Sequence, residues 1–370
     1  MTNERTRTWA STMAGATGDG GLRVAHPGTT VGPGAWAGTT RERREAHEAA
    51  SLAPGATRSA EAGHREVAEV PDHWRTCFER DRDRILHSTT FRRLAGKTQV
   101  FVFPADHQRT RLTHALEVAQ VAVGISHAIG LNVALAEAIA LGHDCGHGPG
   151  GHASEDALSP YIEGGYDHAV WGADVILRPL NLCVETLDGI RNHSWSRPAP
   201  RTPEGEVVAW ADRIAYVCHD FEDAAATGVV SAASLPGEVL ATLGAERSGQ
   251  ISRFITSIVD TALTTGRIGM APGPADALAQ FRQFNYENIY LRAESQDQAQ
   301  AVIAVLRGLV DHYLSRPEHL PADQQQALEA HDPVHVVVTY VGGMTDRFAC
   351  RQAISLLDWP LQRLPRGIDV

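Results

Sequence analysis

The chain has 370 residues, 43% of them hydrophobic, and a formal net charge of -11. That length supports a large buried core in one or two domains. The acidic balance argues against a bulk nucleic-acid binder, whose surface is normally basic, but not against a small anionic substrate, because a few arginines beside a metal reverse the local sign.

Residues 1–70 are rich in Ala, Gly, Thr and charge, as in MAGATGDGGLRVAHPGTT, and show no apolar periodicity. They are expected to form a low-complexity arm, disordered unless it orders against a partner subunit. From Trp74 the texture becomes helical. FERDRDRILHSTTFRRLAGKTQV places Phe78, Ile85, Leu86, Phe91 and Leu94 on one apolar stripe. RTRLTHALEVAQVAVGISHAIG is a second helix, ended by Gly130, and NVALAEAIALGHD a third. Helical patterns continue through SEDALSPY, YDHAVWGADVILRPL, LCVETLDGIRNHS and EGEVVAWADRIAYVCHDFEDAAATG. They resume in ISRFITSIVDTALTTG, ALAQFRQFNYENIYLRAES, QAVIAVLRGLVDHYL and ADQQQALEAH. VHVVVTYV is the one β-branched run that reads as a strand. The fold class is therefore mostly α, with one helical domain from about residue 70 to 370.

Five cysteines at 77, 145, 183, 218 and 350 form no CxxC pair, which suggests neither a disulfide framework nor a thiolate zinc site. With no run of eighteen apolar residues and no apolar core in the first fifteen, neither a membrane span nor a secretory signal is expected. A reduced, cytoplasmic chain is the expectation.

HDCGHGPGGH, residues 143–152, sets three histidines and an aspartate among glycines at the end of an apolar helix. His143 and Asp144 can serve one ion if the backbone bends there, and the glycines allow it. His114 and Asp212 lie in helices on either side in sequence. Imidazole nitrogens with carboxylate oxygens suit Zn, Mn, Fe or Mg-like ions, and few protein ligands leave water positions open. A helix cannot run through GPGG, so the chain loops out before ASEDAL starts the next helix, with His152 at the loop end. Glu155 then falls within hydrogen-bonding reach across the first turn. Asp212, Tyr216 and Asp220, at i, i+4 and i+8, share one helix face.

RTRLTHALEVAQVA, AIALGHDCGHGPGGHASEDAL and VVAWADRIAYVCHDFEDA resemble the three signature blocks of the HD-domain deoxyguanosine-triphosphate triphosphohydrolase-like family. HSTTFRRLAGKTQVF, FNYENIYL, RPEHLP and TYVGGMTDRFA resemble its flanking blocks, so the similarity spans roughly residues 78 to 355. The resemblance implies an HD-domain helical phosphohydrolase core over residues 71–235 and a helical C-terminal region over 236–370. It implies His114, His143, Asp144 and Asp212 as ligands of one divalent ion (Mn, Mg, Fe, Co, Ni or Zn), with further Mg accompanying a triphosphate.

By the same resemblance His152 is the proton donor to the leaving 5′ oxygen, Glu155 orients it, and His147 faces the reacting phosphate. Arg111, His168 and Arg213 would contact phosphates, Tyr216 would pack under the sugar, and Asp220 would accept from its 3′ hydroxyl, with Gln99 on the opposite side. Two departures stand out. Gly150 replaces the family's usual Phe and Ala169 its frequent Asn, so the loop bearing His152 is expected to be bare. The implied reaction splits dGTP, or another natural or modified purine deoxynucleoside triphosphate, at the α-phosphorus into deoxynucleoside and tripolyphosphate. Alternative readings are hydrolysis of a nucleoside monophosphate or other modified nucleotide, a non-catalytic nucleotide sensor, and an added single-stranded DNA role. The family implies a homo-oligomer, a hexamer or tetramer.

Overall fold

The computed structural model describes residues 3–13, 15–28, 37–104 and 107–366. It divides into residues 1–40 and residues 41–370. In the first unit, α1 (Glu4–Thr12) is capped by Asn3, and two short strands, β1 (Ala16–Thr17) and β2 (Arg23–Val24), pair antiparallel.

Among the described residues of the second unit, the regular elements are all helices, joined by loops and two isolated β-bridges. Its helices are α2 (Arg41–Ser51), α3 (Cys77–His87), α4 (Thr89–Arg93), α5 (Arg111–Ile129), α6 (Val133–Gly142), α7 (His152–Leu158) and α8 (His168–Trp171). They continue with α9 (Val184–Arg191), α10 (Pro203–Ala226), α11 (Gly237–Leu243), α12 (Arg247–Thr265) and α13 (Pro272–Asn285). The last are α14 (Ala293–Ser315), α15 (Ala322–Ala327), α16 (Pro333–Gly342) and α17 (Asp346–Leu357). The mostly α expectation holds.

Local chemistry sets the ends of the elements that carry the site. Gly130, at φ 73°, stops α5 in the left-handed region open to glycine. Asn132 caps α6 by accepting the Leu135 N–H, and Thr202 caps α10 with Pro203 at its first position. α6 is buried nearly all round, with Leu135, Ile139 and Leu141 inside one apolar cluster that also holds Ile85 of α3, Val118 of α5 and Ile214 of α10. Truncating any of these to Ala would cost about 2–5 kcal/mol. A second cluster joins Leu158 of α7 to Leu306 and Leu309 of α14, Val338 of α16 and Ala353 of α17. The glycine loop between α6 and α7 lies where these two cores meet.

Three expectations need correction. The stripe from Phe78 to Leu94 is two helices, because extended backbone at Ser88 ends α3 and caps α4. VHVVVTYV is helical, within α16. Asp332 accepts the His335 N–H, Pro333 takes the first helical position, and Val336, Val337, Val338 and Val341 are all buried. A run buried on several faces carries no period that distinguishes strand from helix.

Residues 41–66 are not a loose arm. Ala53 N–H donates to Gly130 O, Thr57 donates twice to the buried Glu204, and Arg65 pairs with the buried Asp81 at 2.7 Å. Their order comes from polar contacts with buried carboxylates, which apolar periodicity cannot reveal.

Candidate active site

The first turn of α5 carries His114, the end of α6 carries His143 and Asp144, and the middle of α10 carries Asp212. The structure brings all four together. His114 Nε2 lies 3.1 Å from Asp212 Oδ1, and His143 Nε2 lies 3.6 Å from the same oxygen and 3.5 Å from Asp144 Oδ1. Asp144 Oδ2 is 3.9 Å from His114 Nε2. His143 Nδ1 donates to Ala140 O at 2.6 Å, which directs Nε2 into the cluster, where it has no hydrogen-bond partner.

Burial alone would raise both carboxyls. For Asp144 the charges of Arg111 and His143, and for Asp212 the hydrogen bond from His114 with the charge of His143, outweigh it and hold both well below the usual range. Burial would lower His143, yet Asp144 and Asp212 push it up to about 9. Two imidazoles and two carboxylates converging in one buried place are a donor set that fits a divalent cation.

The turn after Asp144 folds back closely. A Cβ on Gly146 would stand 2.0 Å from His168 O, so glycine there lets α8 lie against the turn. His168 then stacks on His147, ring centroids 3.7 Å apart, and His147 Nε2 reaches Asp144 Oδ1 at 3.3 Å. Burial, with Arg111 nearby, holds the His147 imidazole well below its usual value, so it stays neutral.

His152 opens α7 with its side chain 75% exposed, so this ring is open to an incoming substrate. Glu155 joins the two histidine groups: Oε2 lies 2.8 Å from His152 Nδ1, and Oε1 lies 2.8 Å from His168 Nδ1 while accepting the His168 backbone N–H. Burial would raise Glu155, but the hydrogen bonds from His152 and His168 hold it far below the usual carboxylate range.

The remaining sequence candidates divide. Arg111 is buried and pairs with Asp144 Oδ2 at 2.7 Å, so in this structure it braces the HD carboxylate. The Arg213 guanidinium sits 3.6 Å from the Trp195 ring centroid and has no carboxylate partner among the described residues. Tyr216 OH accepts from Arg282 Nε at 2.7 Å, and Asp220 accepts from Tyr290 OH at 2.6 Å. Gln99 lies in the segment between α4 and α5 with a buried, unpaired Oε1.

The loop bearing His152 is not bare. Gly150 is buried with φ 73°, its N–H donates to Asp346 at 2.8 Å, and a Cβ there would stand 2.5 Å from Val302. The room a larger residue would take is filled by α14.

Sequence reasoning passed over His193, Lys97, Asp346, Arg282 and Tyr290. His193, in RNHSW, is buried with Nε2 3.3 Å from His168 Nε2. Lys97 is buried and pushed down to about 8 by that burial, with Nζ donating to His147 O and to Gly342 O. No local spacing marks these residues; each acts through a contact distant in sequence. A cavity of about 670 Å³, lined in part by Arg93, Lys97, Cys145, Thr339 and Phe348, has none of the candidate ligands in its lining.

The chain matches the HD domain over residues 111–217 and the phosphohydrolase-associated domain over residues 268–354. It is 38% identical over 316 residues to a deoxyguanosinetriphosphate triphosphohydrolase-like protein of Caldanaerobacter subterraneus, covering 84% of this chain and 93% of that protein. A protein of the same description from Clostridium perfringens is 39% identical over 328 residues, covering 84% and 96%. One from Desulfatibacillum aliphaticivorans is 36% identical over 342 residues, also covering 84% and 96%.

Proposed function

The chain belongs to the deoxyguanosinetriphosphate triphosphohydrolase-like family of HD-domain phosphohydrolases, and from that premise we propose that it hydrolyses a purine deoxynucleoside triphosphate at the α-phosphorus. The products are the deoxynucleoside and intact tripolyphosphate. The observation that carries this reading is the Glu155 carboxylate, which holds an exposed His152 beside the buried His114–His143–Asp144–Asp212 set.

Those four residues would hold one divalent ion, and the orphaned His143 Nε2 among carboxylate oxygens supports that fit. When bound, such an ion lowers the pKa of water and withdraws charge from a phosphoryl oxygen. The protein's own groups do the rest. Glu155 accepts from His152 Nδ1, so in the doubly protonated ring the Nε2–H is the proton handed to the departing 5′ oxygen, leaving the ring neutral. His147, kept neutral, places an uncharged imidazole beside the anionic phosphate. Arg213, stacked on an indole and with no carboxylate partner among the described residues, is available to the triphosphate tail. Tyr216 and Asp220 are fixed from outside by Arg282 and Tyr290, a rigid wall for the deoxyribose.

The test is incubation with natural and modified purine deoxynucleoside triphosphates plus Mn²⁺ or Mg²⁺, with products resolved chromatographically. Tripolyphosphate is the expected product. Release of pyrophosphate or single phosphate overturns the mechanism, and turnover of a nucleoside monophosphate unaffected by Arg213→Ala favours the second enzymatic reading.

A further inference from the structure

Trp195 enters the site only as the ring beside Arg213, yet it is anchored more firmly than a surface residue needs. It follows α9 in RNHSW and is 46% exposed. Three contacts fix it. Its Nε1–H donates to Ala209 O of α10 at 3.0 Å. Its ring meets Trp210 edge to face, with centroids 4.7 Å apart and planes at 78°. Its face carries the Arg213 guanidinium, 3.6 Å from the ring centroid.

One turn of α10 organises all three. Ala209 and Arg213 stand at i and i+4, on the same helix face. A helical side chain leans back over the turn that precedes it, so Arg213 reaches over the stretch whose carbonyl pins the indole. The segment between α9 and α10 supplies the ring, and α10 supplies both its anchor and its load.

The kind of anchor matters. A carboxylate would fix a guanidinium and cancel its charge. An indole face fixes it and leaves both the charge and the donor edge open to an anion. Arg282, near enough for its charge to oppose that of Arg213, is held in the same manner, by the phenol oxygens of Tyr216 and Tyr286. Both cations are steadied by aromatic side chains.

We infer that Trp195 is a positioning residue for the phosphate tail, holding Arg213 in one orientation with its charge uncancelled and so setting a preference for a triphosphate over shorter phosphate esters. The inference rests on the proposed function, in which Arg213 meets that tail. Tryptophan suits the task better than another aromatic residue, because it offers the strongest face to a cation and an N–H by which the ring is pinned. Trp210 backs the platform from its edge.

The experiment is a double-mutant cycle on the metal-loaded full-length enzyme, with Trp195→Leu, Arg213→Ala and the pair, read by release of tripolyphosphate. Trp195→Leu should raise KM for the deoxynucleoside triphosphate about three- to thirty-fold and leave kcat little changed, the pattern of a lost contact that substrate and transition state share. Inhibition by inorganic tripolyphosphate should weaken by the same factor, while inhibition by the product deoxynucleoside stays as it was. In the Arg213→Ala background the same substitution should add nothing. Trp195→Phe, which keeps a ring face and loses the N–H, should fall between. Circular dichroism confirms that each variant is folded, and Trp195→Phe carries the cycle if Trp195→Leu is not. An unchanged KM, equal losses in both backgrounds, or equal weakening of both inhibitors would overturn this role for Trp195 and leave the proposed function intact. A wild type that releases no tripolyphosphate from any purine deoxynucleoside triphosphate would overturn the proposed function, and this inference with it.

Discussion

Asp346, at the start of α17, accepts the backbone N–H of Gly150 at 2.8 Å across 196 positions of sequence. Its other oxygen accepts both the N–H and the hydroxyl of Thr98, at 2.9 and 2.6 Å. One buried carboxylate therefore ties the glycine loop between His147 and His152 to the segment leading into α5. Lys97 fastens the same loop by donating to His147 O. Asp346→Ala would leave three buried donors unsatisfied, at about 1–3 kcal/mol for each. The expected result is a lower melting temperature and a kcat loss larger than any change in KM, because the loop sets geometry and does not itself grip substrate. Asp346→Asn, which keeps one acceptor oxygen, should recover part of both.

His152 and Glu155 should separate in kinetics. His152→Ala is expected to lower kcat by about 10²–10⁴-fold with little change in KM. Glu155→Gln should fall between that variant and the wild type, and should disturb His168 as well, since the carboxylate serves both rings. Equal losses in kcat and affinity for His152→Ala would remove it as the proton donor.

Asp220 gives a pH signature. Its burial outweighs the hydrogen bond from Tyr290 and raises the carboxyl to about 7. A raised carboxyl pKa means the folded state binds the proton more tightly than the unfolded chain, so stability falls as pH rises from about 4 through about 7. A shift of this size corresponds to a few kcal/mol at most, at about 1.4 kcal/mol per unit. Asp220→Asn should flatten that part of the stability curve, and denaturant midpoints at pH 5 and pH 8 are the measurement. A wild-type curve already flat over that interval would contradict the assignment.

Gly150 is held at positive φ against Val302. Gly150→Ala should destabilise the fold by about 1–3 kcal/mol through backbone strain and overpacking. Val302→Ala in the same chain should relieve only the packing part. Full rescue by that second change would show that the backbone angle costs nothing.

How much of this was legible in the sequence follows from where the information lies. His114, His143, Asp144 and Asp212 meet because each sits at a helix position fixed by strong local signals: Gly130, the Asn132 cap, the glycine turn and Pro203. The His152–Glu155 contact lies within one helical turn, so spacing alone exposed it. His193 is a single histidine in RNHSW, and nothing local says that its Nε2 meets His168. Asp346 reads as an ordinary first-turn acid until tertiary packing delivers Gly150 and Thr98 to it. Gly150 itself misled: a missing side chain suggested open space, and α14 fills that space.

The most direct test of the account is hydrolysis of dGTP with Mn²⁺ in ¹⁸O-labelled water, followed by mass spectrometry of all products. Attack at the α-phosphorus predicts one labelled oxygen in tripolyphosphate and none in the deoxynucleoside. Label in the deoxynucleoside, or a deoxynucleoside monophosphate released with pyrophosphate, would contradict it.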